Sequence, residues 1–202
     1  MMSAEARRAA YGRALARRCD ELGGDAGRHG AERGKGLARL AWYSGGVASV
    51  VSMAVLAYFG HREIRSALAT ANAPSHWIWR DEALRARGFT LRHTVAGYVI
   101  HHASSILWAS VFERLLRDPP HHPARAGGIA LAVAALAATV DLKLTPQRFT
   151  PGFEHHLSAG ALAVMYGAFG AALFGVHALR GRVSGWARQP APTPQGPVHR
   201  HR

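Results

Sequence analysis

Cysteine is nearly missing from this chain. Cys19 is the only one in 202 residues, so neither an intramolecular disulfide framework nor a cysteine-based zinc knuckle can form. Lysine is almost as scarce: Lys35 and Lys143 stand alone among 25 basic residues, the rest being arginine. With so much alanine and glycine, this marks a GC-rich coding bias, and any single arginine carries less functional meaning for it. Acidic residues number 12, which leaves a formal charge of +13 with 13 histidines counted neutral. Such a charge raises the question of nucleic acid. The basic residues, however, mostly flank apolar runs, lack interleaved aromatics and form no recognition motif, so no nucleic-acid partner is expected. No GxSxG, P-loop, GxGxxG or HExxH string occurs. Ser104 and Ser105 beside His102 do not make a catalytic triad, because adjacent residues cannot supply its geometry. Whether the chain is an enzyme stays open.

Charge is also missing locally. Asp, Glu, Lys and Arg are absent from Leu40–Gly60, Thr94–Phe112, Ala126–Val140 and Leu157–Leu179, runs of 21, 19, 15 and 23 residues. The third reaches 19 if it continues through Asp141 and Lys143 to Leu144. A helix rises about 1.5 Å per residue, so about 20 residues cross a hydrocarbon core of about 30 Å. A chain this size has too little interior to hide four all-apolar helices. The mean hydropathy of −0.05 averages these runs with strongly polar flanks. The first apolar run starts about forty residues in and others follow it, so it reads as an anchor and not as a cleaved leader.

The expectation is an all-α fold: a four-helix transmembrane bundle with a short interfacial helix in the first loop. Residues 1–38 would be a basic N-terminal cytoplasmic tail, 39–182 the four-span membrane domain and 183–202 a disordered, Pro-rich C-terminal tail. Residues 3–22 could be helical, held by anionic lipid headgroups, whereas the Gly-rich 21–38 should be irregular. The first-loop helix would start at Ser75 as N-cap, carry Asp81 and Glu82 early and stop at Gly88. Trp77 and Trp79 would sit at the bilayer interface. In span four, Gly160, Ala163, Gly167, Gly170 and Ala171 would let helices approach closely, and a homo-oligomer stays open. Seventeen basic residues fall in both tails and the second loop, against eight in the other two loops. That places both termini in the cytoplasm of a multi-pass protein in a bacterial inner (plasma) membrane.

Ionisable groups at membrane depth are costly and normally face the bundle interior with partners. In this topology His101, His102, Asp141, Glu154, His155 and His156 all fall in the outer half. Successive helix positions point about 100° apart, so His101 and His102 cannot both face one site. Three roles compete. One is structural, with hydrogen bonds between helices. The second is metal binding, since imidazole and carboxylate suit Fe or Zn, although the ferritin-like Glu-x-x-His pattern is absent. The third is haem b ligation by one histidine from each pair. The leading reading is a membrane protein with a structural or interaction role; the alternative is a metal- or haem-dependent redox protein using these six residues. At least one of His101 and His102 is expected inside the bundle, near Asp141 or the Glu154–His156 segment.

The strings SHWIWRDEA, LRHTVAGYVIHHASSILWASVFERLL and TPQRFTPGFEHHLS resemble a family of small bacterial inner-membrane proteins with four predicted spans and no assigned activity. The resemblance covers about residues 75–160 and lends no catalytic residues. The family pattern has glycine after the Trp-x-Trp element, where this chain has Arg80.

Overall fold

The computed structural model describes residues 4–116 and 122–186, with side chains for 30–116 and 122–182. Residues 187–202, most of the expected Pro-rich tail, lie outside the described residues. Every regular element among the described residues is helical, and none is a strand. Helix α1 is Ala4–Ile64. Short helices α2 (Ala67–Asn72), α3 (His76–Trp79) and α4 (Asp81–Arg85) fill the first loop. Then come α5 (Ala96–Leu115), α6 (Pro123–Thr139) and α7 (Ala159–Trp186). Four stretches are long and apolar enough to cross a membrane: Gly30–Ile64, Leu91–Leu115, Pro123–Leu144 and Ala159–Arg182. The third includes the extension through Asp141 to Leu144.

One expectation fails at the start of the chain. Residues 21–38 are helical, continuous with the apolar part of α1. Each interior glycine costs about 1 kcal/mol relative to alanine. Elongating an existing helix requires no new nucleus, however, and the apolar segment already supplies one.

The helices pack through small residues. α1 lies against both α5 and α7, and α6 against α7. The inward face of α1 is Ala41, Ser44, Ala48, Ser49, Ser52 and Leu56, all buried. Gly45 brings the α1 backbone onto α5: a Cβ there would sit 2.7 Å from Ile106 Cα. In α7 the expected small-residue stripe contributes less. Gly170 packs on Ala130 and Ala134, and Gly167 and Ala171 line the same groove against α6, whereas Gly160 and Ala163 are exposed away from it. Contact with α6 uses one face of α7, and the five positions do not all share it.

The first loop folds in over the end of the bundle. Ala69, Thr70, Ala71, Asn72, Ala73, Pro74, Ser75 and His76 form one buried run. Asn72 holds it. Its amide donates to the carbonyls of Ala86 (2.8 Å) and Gly88 (3.0 Å), and its oxygen accepts from Thr94 Oγ1 (2.7 Å). The loop is tied to the 145–158 segment as well. Trp77 Nε1 donates to Thr150 O at 2.7 Å, and His76 Nε2 lies 3.3 Å from Gln147 O. Glu63, at the end of α1, accepts from the backbone and hydroxyl of Ser158, both at 2.7 Å.

The single helix expected from Ser75 is two short ones. Ser75 does not cap; its hydroxyl donates back to Asn72 O at 2.7 Å. Ser66 caps α2 instead, accepting from Ala69 N at 3.1 Å. The break falls at Arg80, whose φ of 51° and ψ of −134° belong to glycine territory. A side chain there costs about 1–3 kcal/mol of backbone strain, against about 1 kcal/mol of extra unfolded-state entropy for glycine. Arg80 is exposed. Arg80→Gly should therefore raise stability by about 1 kcal/mol in a detergent melt; an unchanged or lower midpoint would mean the arginine makes compensating contacts.

Candidate functional site

Beneath this lid, between the four long helices, lies a cavity of about 240 Å³. α1 contributes Ser52; α5 contributes His101, Ser104, Ser105 and Trp108; α7 contributes Met165, Tyr166 and Phe169. Trp77 reaches in from α3, and Phe149 and Phe153 from the segment that precedes α7. Asp141 stands on a widened turn, Val140–Leu144, closed by the bond from Thr145 N to Val140 O at 2.8 Å. Such five-residue turns re-aim side chains and recur at functional sites.

Asp141 is the acid of the cavity. Tyr166 donates its hydroxyl to Asp141 Oδ2 at 3.0 Å, and Trp108 lines the same cavity. The bond ties the end of α6 to α7, with α5 alongside.

His101 is buried and lines the same cavity. Its Nε2 is 3.0 Å from Ser52 Oγ. Ser52 Oγ also lies 2.8 Å from the Ala48 carbonyl and 3.2 Å from that of Ser49. The His101 ring meets Phe153 edge-on at 6.5 Å. His102 faces elsewhere. Its Nδ1 is 3.1 Å from Ser49 Oγ, with Trp42 and Tyr98 as ring neighbours at 5.8 and 5.7 Å. Thus His101 enters the bundle and lines the same cavity as Asp141.

Glu154, His155 and His156 form a separate group at the mouth of α7. Glu154 Oε1 approaches His155 Nε2 to 3.8 Å. Both Glu154 oxygens and His156 Nε2 are buried without a hydrogen-bond partner. Burial, with the neighbouring charges of His155 and Arg87, holds His156 below the ordinary histidine value. The six residues singled out by the sequence are therefore divided: His101 and Asp141 on one cavity, His102 on the α1 face, and three in the loop. Among the described residues, no three His, Cys, Asp or Glu side chains are grouped as metal ligands.

Sequence reasoning missed Ser52, Trp108 and Tyr166. A tyrosine inside the small, apolar run of span four was the available signal, since a buried phenol requires a hydrogen-bond partner. Compared with protein families, with curated proteins and with solved structures, the chain matches none.

Proposed function

We propose that this is a multi-pass membrane protein whose four-helix bundle holds a binding pocket for a small, mostly apolar molecule. The inverted polarity of the helices carries the membrane part of the reading. Val99, Leu131 and Val164 are 58%, 68% and 52% exposed, while Ser44, Ser49, Ser52 and Ser105 are buried between helices. In water this arrangement would expose apolar surface all round the bundle. In lipid it is the expected one, because small and polar residues join helices where no hydrophobic force can. The basic asymmetry favours cytoplasmic termini in a bacterial inner membrane, with the lidded end outside and the N-terminal arginines on anionic headgroups.

The cavity carries the binding part. It is concave, lined mainly by aromatic and aliphatic side chains, and has a few convergent polar groups at one end, the usual makeup of a small-molecule site. Ser104 lines it without a role in the hydrogen-bonding described above, so enlarging that side chain fills the space directly. In nanodiscs, tert-butylbenzene should produce a saturable change in tryptophan fluorescence, Trp77 and Trp108 both being lining residues. Ser104→Phe should abolish it at the same lipid concentration. A change of equal size in both proteins would reflect partition into lipid and contradict the pocket.

A further inference from the structure

Building on that pocket, we infer that its ligand is an organic cation, an amine or quaternary ammonium with an apolar body, and that Asp141 is its counter-ion. The first observation is the charge of the lining. Asp141 is the one carboxylate among the lining residues, and no lysine or arginine is among them. Its hydrogen-bond donor, the Tyr166 hydroxyl, is neutral. It solvates the carboxylate but does not neutralise it. An ionised group at this depth normally has a partner of opposite charge, and here the protein leaves that place to the ligand.

The second observation is independent of the first. Six aromatic rings line the same space: Trp77, Trp108, Phe149, Phe153, Tyr166 and Phe169. Ring faces attract a cation through their quadrupole, and cages of this composition with one acid select alkylammonium groups over neutral isosteres. Two of the rings also have their polar atoms occupied. Trp77 N–H is held by Thr150 O and the Tyr166 hydroxyl by Asp141, so both present carbon surface. Arg148 stacks over Phe149 at 5.9 Å but is exposed and is not a lining residue. The field at this end of the cavity thus favours positive charge.

The test uses the full chain in nanodiscs and a matched pair of probes, phenyltrimethylammonium and tert-butylbenzene, which share a shape and differ in charge. The Ser104→Phe protein measures partition into lipid and is subtracted. The cation should bind about ten-fold or more tightly than its neutral isostere, the scale of a desolvated cation–π and ion-pair contact. Asp141→Asn keeps an oxygen to accept from Tyr166. It should remove that preference, so that the two probes bind this variant within about two-fold of each other, a difference below 0.5 kcal/mol. If tert-butylbenzene binds as well as the cation, the pocket stands and the inference falls. A preference that survives in Asp141→Asn also overturns it. If neither probe shows a saturable component, pocket and inference fall together.

Discussion

Arg180→Ala should lower the stability of the detergent-solubilised protein by about 3–5 kcal/mol, the usual cost of orphaning a buried charge. Glu113 on α5 is the reason. Its side chain is 4% exposed, and its carboxylate accepts from Arg180 Nη2 on α7 at 2.6 Å. The pair joins the two helices at the end of the bundle away from the lid. Without the guanidinium the carboxylate stays buried, so the midpoint of a detergent melt should fall by roughly 10 °C. The pair as a whole contributes far less than its rupture costs. Glu113→Gln combined with Arg180→Ala should therefore recover most of the loss, because desolvating two charges nearly cancels their attraction. A single variant within about 1 kcal/mol of the parent would mean that water reaches Glu113 and that the pair behaves as a surface one.

The long helices were legible because their signal is the absence of charge over about 20 residues, which needs no knowledge of packing. The third, alanine-rich and short, left its end open between Val140 and Leu144, and the apolar helical stretch runs to Leu144. The first loop was legible as helical but not as a lid. Its fold depends on Asn72 meeting carbonyls 14 and 16 residues further on, and no local pattern encodes that meeting. The two histidines of α5 show the same limit. Helix geometry says that only one can face a given site. Ser52 and Ser49 of α1 decide which, by receiving His101 and His102 on neighbouring positions of one helix face. Asp141 was visible as an oddity at the end of a span. Its partner was not, because Tyr166 comes from another helix and looks like an ordinary apolar-run aromatic in the sequence. The Glu-His-His string stood out most in the sequence, yet it lies in the loop apart from the cavity lining.

The apolar exterior makes the sharpest prediction of all, since a lipid-covered side chain and a water-covered one differ all-or-none towards a membrane-impermeant maleimide. Cys19→Ser gives a cysteine-free background. Single cysteines then go in at Asp81 and Gln147 on the lidded end, at Val99 and Leu131 on exposed helix faces, and at Ala124 on the opposite end. In intact cells Asp81→Cys and Gln147→Cys should label and Ala124→Cys should not. After permeabilisation Ala124→Cys should label too, while Val99→Cys and Leu131→Cys stay silent throughout. Labelling of Val99→Cys and Leu131→Cys as readily as Asp81→Cys would place water around the bundle and contradict the membrane reading. Labelling of Ala124→Cys in intact cells, with Asp81→Cys protected, would invert it.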